Sequence, residues 1–414
     1  MAPVPFDPAD IAELLPAGGR VLVTGASGES VLLAEAVMAA GEAIGAMTFT
    51  GIFVPGLNRH SYLASATARV ETFFVTPPLK KDLGGRVEQL PLCYSDIRRR
   101  LRNIEIDALI CMVTPPDGEG LCSFGPAVDF AAELWPHIPI RIAHINPAMP
   151  RTRGDSGIPF SALTAYVEQA AGFDGEPDGT ADPIAEAIAG HVAPWITDGA
   201  TLQTGVGKVP GAILRALTGR RNLRIHSGLV GDEVVDLLEA GALASGQAVT
   251  AGVAIGSRRL YRAIEGTEFA FLPAAVTHDR AIIGGIPNFV AINSALEVDL
   301  LGQVFSEFGP RGLISGPGGA PDFTAGARQG GGLRVIALPA AADGGAISRI
   351  ALPGASSGPV TLGRMDSDII ATEFGAADIR GLSYDERAEA LVAIAAPQHR
   401  EALTAGWRAY AAKL

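Results

Sequence analysis

The chain has 414 residues, of which 48% are hydrophobic, 18% are charged and 51 are glycine. A single hydrophobic core stops growing near roughly 250–300 residues, so this length predicts two domains. The formal net charge of -12 argues against a protein whose main role is to bind the phosphate backbone of nucleic acids. No apolar run approaches the roughly 18–20 residues needed to span a bilayer, and acidic residues stand where a signal peptide would be basic, so we expect a cytoplasmic protein.

Continuous apolar runs alternate with helical patterns along the chain. The runs are typical of parallel strands covered on both faces, and they comprise Val21–Val23, Ala108–Val113, Phe269–Phe271, Phe289–Ile292, Leu333–Leu338 and Asp368–Ala371. Apolar spacings of three and four predict helices at Ser30–Ala40, Pro183–Val192, Gly211–Leu217, Asp232–Ala240 and Tyr384–Ile394. Asp182 is the predicted N-cap of the second helix, with Pro183 at its first position. The alternation predicts an α/β fold.

A weak internal repeat indicates two similar lobes. The segment Gly19–Gly25 is echoed by Gly199–Gly205, and each copy reads as a strand that enters a glycine turn and then a helix. Between them, Gly172–Asp182 is rich in Gly and Asp and has no hydrophobic periodicity. We therefore predict an N-terminal lobe over residues 1–176 and a C-terminal lobe over residues 177–414.

The cysteines and one run of arginines are interpreted as structural features. Cys93, Cys111 and Cys122 have no metal-binding spacing, so they are predicted to be buried thiols and no metal site is expected. The arginines at 98, 99, 100 and 102 form one basic run, which we interpret as a solvated helix face.

The segment Val21–Gly28 resembles a nucleotide-binding turn but lacks the residues that such a turn needs to bind a pyrophosphate. Glu29 and Ser30 stand where further glycines would be needed, and a carboxylate beside a pyrophosphate would repel it. Ser27 also lacks the Gly-x-Ser-x-Gly frame of a hydrolase nucleophile. A dinucleotide-binding enzyme and a serine hydrolase are both disfavoured.

A series of motifs resembles the acetyl-CoA hydrolase/transferase family over nearly the whole chain. The motifs stand in the family's order and approximate spacing: Val113–Gly125, His144–Gly154, Gln203–Pro210, Ile292–Glu307, Gly316–Ala327, and Thr372–Gly375 with Arg380–Ser383. The resemblance implies two similar open α/β lobes with mainly parallel sheets, the CoA-transferase fold. It also implies coenzyme A, carried as an acyl-CoA substrate, and a homodimer. From the charge and the lack of a long apolar run, we expect no nucleic acid and no membrane as partner.

A thioester enzyme needs backbone N–H donors close to a developing oxyanion, and glycine-rich turns let main-chain groups come that close. Candidates for this role, which alternatively only shape tight turns, are Gly205, Gly207, Gly318 and Gly319. The resemblance places Gln203 beside the CoA arm and Asn293 near the acyl group, although an Asn after a strand can also bond local backbone. Lys208 replaces a small residue of the family's loop and is a candidate to contact a CoA phosphate or a substrate carboxylate, the alternative being an ordinary surface lysine.

The segment Ile225–Leu237 differs from the family at the position of the catalytic nucleophile. Family CoA-transferases attack the acyl-CoA with a glutamate that becomes an enzyme-bound CoA thioester, and Gly228 stands at the position of that glutamate. Glycine has no side chain to act as a nucleophile. Glu233 is predicted to lie too far along the next helix to replace it. The missing carboxylate is expected to leave a small space for a water or a bulkier substrate group.

Three residues are candidate general bases: His226, Glu307 and His60. His226 is preferred because it lies two residues before Gly228 and titrates near neutral pH, and the alternative is a structural histidine at a strand end. His60 follows an apolar, glycine-punctuated stretch that ends at Asn58. These two residues are predicted to line the substrate pocket, or alternatively to belong to a buried loop.

The sequence therefore predicts an enzyme that hydrolyses an acyl-CoA thioester or cleaves a carbon–carbon bond of an acyl-CoA with water. Two alternatives stay open. One is a CoA-transferase that uses a different carboxylate, and the other is a non-catalytic acyl-CoA-binding paralogue. The sequence does not choose the acyl group.

Overall fold

The computed structural model describes residues 2–154, 157–173, 182–205 and 207–413. The chain divides into two compact units: the first contains Met1–Glu176 and Val249–Thr277, and the second contains Pro177–Ala248 and His278–Leu414. Residues 174–181 of the predicted boundary segment lie outside the described residues. Residues 249–277, which the sequence placed in the C-terminal lobe, group with the first unit.

The strands lie in both units and are numbered in chain order. They are β1 Val4–Pro5, β2 Arg20–Val23, β3 Thr48–Gly51, β4 Arg69–Thr72, β5 Val87–Gln89, β6 Ala108–Val113, β7 Leu121–Ser123, β8 Ile140–Ile145, β9 Gly157–Pro159, β10 Ala165–Glu168, β11 Thr201–Thr204, β12 Arg224–Val230, β13 Val249–Ala254, β14 Phe269–Phe271, β15 Phe289–Ser294, β16 Glu297–Asp299, β17 Val304–Phe305, β18 Phe308–Gly309, β19 Gly312–Leu313, β20 Leu333–Ala337, β21 Ala341–Ala342, β22 Ile347–Ser348, β23 Ile350–Ala351, β24 Ile369–Thr372 and β25 Gly375–Asp378.

The α-helices are numbered in the same way. They are α1 Ile11–Leu14, α2 Val31–Ala39, α3 Pro77–Lys80, α4 Tyr94–Asn103, α5 Ala131–Leu134, α6 Pro183–Val192, α7 Lys208–Ala216, α8 Glu233–Glu239, α9 Arg258–Ala263, α10 Ala274–Thr277, α11 Arg280–Gly284, α12 Ala320–Gly330, α13 Tyr384–Ala393 and α14 Pro397–Ala411. The described helices include none long and apolar enough to cross a membrane.

Each unit is built on a sheet of mainly parallel strands. In the first unit the order is β1-β10-β8-β6-β2-β3-β4-β5, and every neighbouring pair is parallel. In the second unit β12-β11-β15-β20-β24 are parallel neighbours, and β25 closes the edge antiparallel to β24. The predicted α/β class with mainly parallel sheets is confirmed.

Local sequence signals account for the elements that were predicted. The predicted strands Ala108–Val113 and Phe269–Phe271 and the predicted helix Pro183–Val192 have the observed bounds, and the other predicted elements differ from the observed ones by a few residues. The Asp182 side chain accepts hydrogen bonds from the backbone N–H groups of Ile184 and Ala185, as an N-cap does. Both copies of the repeat form the predicted strand, turn and helix, β2 with α2 and β11 with α7.

Backbone hydrogen bonds explain why residues 249–277 group with the first unit. The N–H of Val128 donates to the carbonyl of Gly252 at 3.0 Å, and the N–H of Phe271 donates to the carbonyl of Arg153 at 2.7 Å. A backbone bridge also pairs Ala127 with Val253. These bonds join residues far apart in the sequence, so a boundary read from composition cannot reveal them.

The arginine run of α4 is solvated in part, with the Arg99 side chain 71% exposed, but its three other arginines also bind carboxylates, so the interpretation was incomplete. Arg98 binds both carboxylate oxygens of Glu133 at 2.6 Å, and Arg102 binds the same residue at 2.7 Å. Arg100 binds both oxygens of buried Glu71, at 2.9 and 2.5 Å. These partners lie on other elements of the first unit, and bidentate arginine–carboxylate pairs are the geometry in which ion pairs contribute most.

Cys93, Cys111 and Cys122 are buried thiols, as predicted. Burial raises the pKa of the Cys122 thiol to about 11 and that of Cys111 further still. Both thiols are therefore protonated near neutral pH and are poor nucleophiles.

Candidate active site

The candidate site of the second unit begins where β11 and β15 end. These strands pair in parallel with Thr204 opposite Ile292, so the residues that follow them emerge at the same edge of the sheet. The carboxyl ends of parallel strands are where open α/β sheets bind ligands. The predicted residues Gln203 and Asn293 both lie at this edge.

The amide groups of Gln203 and Asn293 are bonded to each other. Gln203 Nε2 donates to Asn293 Oδ1 at 3.4 Å, and Asn293 Nδ2 donates to Gln203 Oε1 at 3.3 Å. Both residues are buried, with 4% and 7% of their surface exposed. The two predicted residues therefore form one unit, each using one donor and one acceptor on the other.

The glycine loop after β11 leaves open space beside its backbone. A Cβ at Gly205 would have only the ring of Pro210 within 4 Å, at 3.9 Å. Gly207 has φ of +117°, which other residues rarely adopt, and no described atom would lie within 4 Å of its Cβ. A ligand can approach the main chain here, at the start of α7. Residue 206 lies outside the described residues.

Lys208 opens α7 and is bound to a carboxylate. Its Nζ lies 3.3 Å from Oδ2 of Asp182, and 65% of its side chain is exposed. An exposed pair of this kind holds a lysine weakly. The predicted contact with a phosphate or carboxylate of the substrate stays a prediction.

The space beside Gly228, on β12, is occupied by the ring of a histidine. Because strand side chains alternate, His226 and Gly228 face the same side of the sheet. A Cβ at position 228 would lie 2.5 Å from both Cε1 and Nε2 of His278. The space expected beside Gly228 is therefore filled, and the expectation that a water or a bulkier group would sit there was wrong.

The His278 ring is enclosed from a second side by the glycine loop before α12. A Cβ at Gly319 would lie 2.7 Å from Nε2 and 2.8 Å from Cδ2 of His278. The ring packs against Phe323 with its centroid 4.8 Å away. Gly318, with φ of +61°, turns the chain into this position. Two of the predicted glycine positions, 228 and 319, thus meet at one imidazole.

Burial, together with a smaller charge repulsion from the neighbouring His226, lowers the pKa of His278 to about 3. Since an unperturbed histidine titrates near 6.5, His278 is a neutral imidazole across the physiological range. His226 is itself buried, with 7% exposure, and its ring centroid lies 6.3 Å from that of Phe289.

Glu307, another predicted base, is held by a separate group of contacts. Its Oε1 accepts a hydrogen bond from the Thr361 hydroxyl at 3.0 Å, and its carbonyl accepts from the N–H groups of Ile314 and Ser315. The side chain is buried, with 5% exposure. These contacts give Glu307 a role in joining β17 and β18 to neighbouring segments.

Asn58 lies in the first unit and uses its whole amide on protein groups. Oδ1 accepts from the N–H groups of Ala26 and Val54, and Nδ2 donates to the Ala26 carbonyl and to Glu29 Oε2. The structure thus assigns Asn58 to the support of the turn after β2. Of the two alternatives for Asn58, a residue that lines the substrate pocket or a member of a buried loop, these contacts favour the buried loop.

His60 lies in the same part of the first unit. It is close enough to Glu29 to favour the charged form of that carboxylate, although burial dominates and raises the pKa of Glu29. Nδ1 of His60 is buried and has no hydrogen-bond partner among the described residues. His60 therefore keeps a polar atom available, and its pocket role stays a prediction.

Comparison with known proteins shows the family to which the chain belongs. The family model of the acetyl-CoA hydrolase/transferase C-terminal domain matches residues 256–407. The 4-hydroxybutyrate coenzyme A transferase of Clostridium kluyveri is 33% identical over 330 residues, which cover 77% of each chain. The chain belongs to the acetyl-CoA hydrolase/transferase family. It is an enzyme of that family, as the resemblance of its motifs implied.

Solved structures and a further relative extend the comparison. The RipA structure of Yersinia pestis matches with a TM-score of 0.90 and 27% identity, and a 4-hydroxybutyrate CoA-transferase of Porphyromonas gingivalis with 0.80 and 28%; both matches cover 98% of this chain and 97% of the other. The acetyl-CoA hydrolase of Saccharomyces cerevisiae is 27% identical over 263 residues, which are 58% of this chain and 48% of that one. The predicted CoA-transferase fold is confirmed, and the family includes proteins named as transferases and as hydrolases.

Sequence reasoning missed His278. It follows the short helix α10 and belongs to none of the motifs that carry the family resemblance. The one available signal was Gly228 itself, because a family member that loses a long buried side chain must fill the space with something.

Proposed function

We propose that this enzyme hydrolyses an acyl-CoA thioester, with water rather than a second carboxylic acid accepting the acyl group. One observation carries the proposal: position 228 has no carboxylate, and the imidazole of His278 occupies the space beside it. A relay through a glutamyl-CoA intermediate, which the family resemblance implies for transferases, has no nucleophile at this position.

The nearby carboxylates have other partners, which supports the absence of a substitute nucleophile. Glu233 binds Arg215 at 3.1 Å. Asp322, in the first turn of α12, is fully buried and binds Arg280 at 2.8 Å. A carboxylate that is bonded to an arginine is a poorer nucleophile because its charge is already stabilised. The alternative of a transferase with a different carboxylate is therefore disfavoured.

The filled space also favours thioester hydrolysis over cleavage of a carbon–carbon bond. The latter was expected because a bulkier substrate group could enter the place of the missing glutamate. The His278 ring occupies that place, between Gly228 and Gly319. A ring or a β-keto chain therefore has no room there, whereas attack of water on the thioester does not require a substrate group in that place.

The proposed reaction uses His226 as general base. It takes a proton from the attacking water, and the open glycine loop after β11 offers backbone N–H groups to the oxyanion. After the tetrahedral intermediate collapses, the proton on His226 passes to the CoA thiolate. The products are a carboxylic acid and CoA.

The same proposal includes a cytoplasmic homodimer built from two lobes with a boundary near residue 176. The support is the family resemblance together with the division of the chain near Glu176 and Pro177. Sedimentation at several protein concentrations tests the dimer. A species of 42.6 kDa at every concentration would contradict it.

The function is tested with a panel of acyl-CoAs of short-chain, dicarboxylic and aromatic acids, each incubated with the purified enzyme with and without acetate. Mass spectrometry follows free CoA, the released acid and new acyl-CoAs. We expect free CoA at the same rate with and without acetate. Transfer of CoA to acetate would contradict hydrolysis, and tight binding without turnover would indicate a non-catalytic paralogue.

The role of His226 is tested with His226→Gln and a control, His191→Gln, which changes an exposed histidine on α6. Because general-base catalysis contributes roughly 10²–10⁴-fold, His226→Gln should lower kcat by at least about 10²-fold. The control should leave kcat unchanged. Equal rates for both variants would exclude His226 as the base.

A further inference from the structure

Arg349 is an arginine of the second unit that has no counter-charge. Its Nε atom is buried and has no hydrogen-bond partner among the described residues. Within the part of the chain that the structure describes, its guanidinium also forms no ion pair, and the residue is only partly exposed. An arginine is always charged, and a buried donor without a partner keeps the penalty of its desolvation. Such donors are rare in folded proteins, and a ligand can supply the missing acceptor.

Backbone hydrogen bonds place Arg349 at the edge of the sheet that carries Gln203 and Asn293. β20 is the neighbour of β15, with Ile336 opposite Asn293, and Ala340 lies shortly beyond the end of β20. The N–H of Arg349 donates to the carbonyl of Ala340 at 2.9 Å. Arg349 therefore lies beyond the carboxyl end of β20, at the edge where open α/β sheets bind ligands.

The segment that carries Arg349 is held by two other elements. β21 and β22 form a hairpin, and the carbonyl of Gly345 in its turn accepts hydrogen bonds from Gln398 Nε2 at 3.0 Å and from His399 Nε2 at 2.8 Å, both on α14. The carbonyl of Arg349 itself accepts from the N–H of Val298, on β16, at 2.9 Å. The backbone at Arg349 is thus fixed before a ligand arrives, which lowers the entropy cost of binding.

The end of the Arg349 side chain can be reached from solvent. Of its guanidinium nitrogens only Nε is buried and unpaired, so the two terminal nitrogens, which have no partner among the described residues, are open to solvent. The next residue, Ile350, is fully buried in a core cluster with Leu338. The core residue and the adjoining arginine therefore occupy different surroundings.

The acidic residues of this region do not neutralise Arg349. Glu373, which follows β24, accepts the N–H of Ala340 with Oε2 at 2.8 Å and forms no ion pair with Arg349. Asp343, in the turn of the hairpin, is exposed and forms no ion pair with it either. The positive charge is therefore available to an anionic group, and the planar fork of a guanidinium matches the two oxygens of a carboxylate.

We propose that Arg349 binds the terminal carboxylate of a dicarboxylic acyl chain and so makes dicarboxylic acyl-CoA thioesters the preferred substrates. This inference rests on the proposed hydrolysis of an acyl-CoA, whose acyl group the family resemblance places near Asn293. The acyl chain begins at the thioester carbon, whereas the phosphates of CoA are separated from it by the whole pantetheine arm. An arginine at the same sheet edge as Asn293 is better placed for a carboxylate on the acyl chain than for a phosphate.

The proposal is tested first by binding, with two CoA thioethers that cannot be hydrolysed. S-(3-carboxypropyl)-CoA and S-butyl-CoA differ only in a terminal carboxylate against a methyl group. Because hydrogen bonds between charged groups contribute more than neutral ones, the wild type should bind the carboxypropyl compound at least about 10-fold more tightly. Titration calorimetry measures both Kd values, and equal values would overturn the proposal.

Three variants assign the preference to one side chain. Arg349→Met should abolish the difference between the two thioethers and leave the Kd of S-butyl-CoA unchanged. Arg349→Lys keeps the charge without the planar fork, so it should retain part of the difference. The control is Arg408→Met, which changes an exposed arginine of α14 and should retain all of it. A full preference in Arg349→Met would overturn the assignment.

Folding of the variants is checked by thermal unfolding. Arg349→Met should melt at no lower temperature than the wild type, because it removes a buried donor that has no partner. Should it fail to fold, the comparison of Arg349→Lys with Arg408→Met decides, and an undiminished preference in the lysine variant would then contradict recognition by the guanidinium fork.

Turnover separates failure of this inference from failure of the proposed function. Glutaryl-CoA and pentanoyl-CoA differ in the same terminal group, and the wild type should favour glutaryl-CoA at least about 10-fold in kcat/KM, with the preference lost in Arg349→Met. If Arg349→Met weakens both thioethers equally, Arg349 binds the CoA moiety and the acyl carboxylate is overturned. If neither thioester releases CoA while the binding preference persists and depends on Arg349, hydrolysis is overturned and the carboxylate site stands.

Discussion

At the residue scale, the amides of Gln203 and Asn293 face each other across neighbouring strands. Each bonds the other at 3.3–3.4 Å, and both are buried. A buried amide that loses its partner keeps the penalty of desolvation, whereas a pair replaced together by apolar groups can be nearly neutral. The pair should therefore show strong coupling in stability, whatever each residue contributes to substrate binding.

We predict that Asn293→Leu and Gln203→Leu each lower the free energy of unfolding by about 1–3 kcal/mol, because each leaves one buried amide unpaired. The double variant should lose less than the sum of the two, by about 0.5–3 kcal/mol. Urea unfolding of the four proteins measures this coupling. Additive losses would show that the two amides do not depend on each other.

His278 shows that a single side chain from outside the sequence motifs can fill a position in the candidate site. Sequence motifs brought Gln203, Asn293 and the glycine loops into the right part of the second unit. They did not predict the side chain beside Gly228, because no local pattern connects position 228 with His278. Asn58 shows the converse, since a residue predicted to line the pocket uses its whole amide on Val54 of its own loop and on Ala26 and Glu29 in the turn after β2.

At the scale of elements, helix caps explain where several helices begin. Ser30 caps α2 by accepting from the N–H of Leu33 at 3.1 Å, and its hydroxyl also bonds Nδ1 of buried His144 at 2.9 Å. Ser383 caps α13 in a capping box with Glu386 and is exposed. The two serines share one capping function but differ in what else depends on them.

We predict that Ser30→Ala destabilises the protein more than Ser383→Ala. Loss of a serine cap costs about 0.5–2 kcal/mol in either helix. Ser30→Ala also leaves a ring nitrogen of His144 without its partner in a buried site, which adds about 1–3 kcal/mol. Thermal unfolding of the two variants side by side makes the comparison, and equal losses would show that the contact with His144 contributes nothing.

At the scale of the whole molecule, titration links stability to pH. Asp129 belongs to the first unit and lines a pocket with apolar neighbours that include Phe73, Leu101 and Phe130. Burial raises the pKa of Asp129 to about 7. Between about pH 4 and 7 the folded chain then holds a proton that the unfolded chain has released, so this group makes stability fall as pH rises through that window.

We predict that Asp129→Asn removes this part of the pH dependence. Asparagine has a similar shape and tolerates the positive φ of +32° at this position. The variant should gain stability relative to wild type between about pH 4 and 7, on the order of 1.4 kcal/mol for each unit by which the pKa is raised. Urea unfolding at pH 4.5, 6 and 7.5 checks the difference, and a constant difference across these values would contradict the assignment.

The sequence by itself determined the α/β class, most strands and helices, the repeat of the strand-turn-helix unit and membership in the family. These features depend on local periodicity, caps and contiguous motifs, each of which can be recognised in a short stretch of sequence. It also determined that position 228 lacks a nucleophile.

Only the tertiary structure decided what stands in its place, which carboxylates are already paired and to which unit residues 249–277 belong. Each of these depends on contacts between residues that are distant in sequence, and such contacts are set by how packed elements fill space. The imidazole of His278 lies beside Gly228 because Gly319 and Phe323 hold it there. That arrangement is a property of the folded chain.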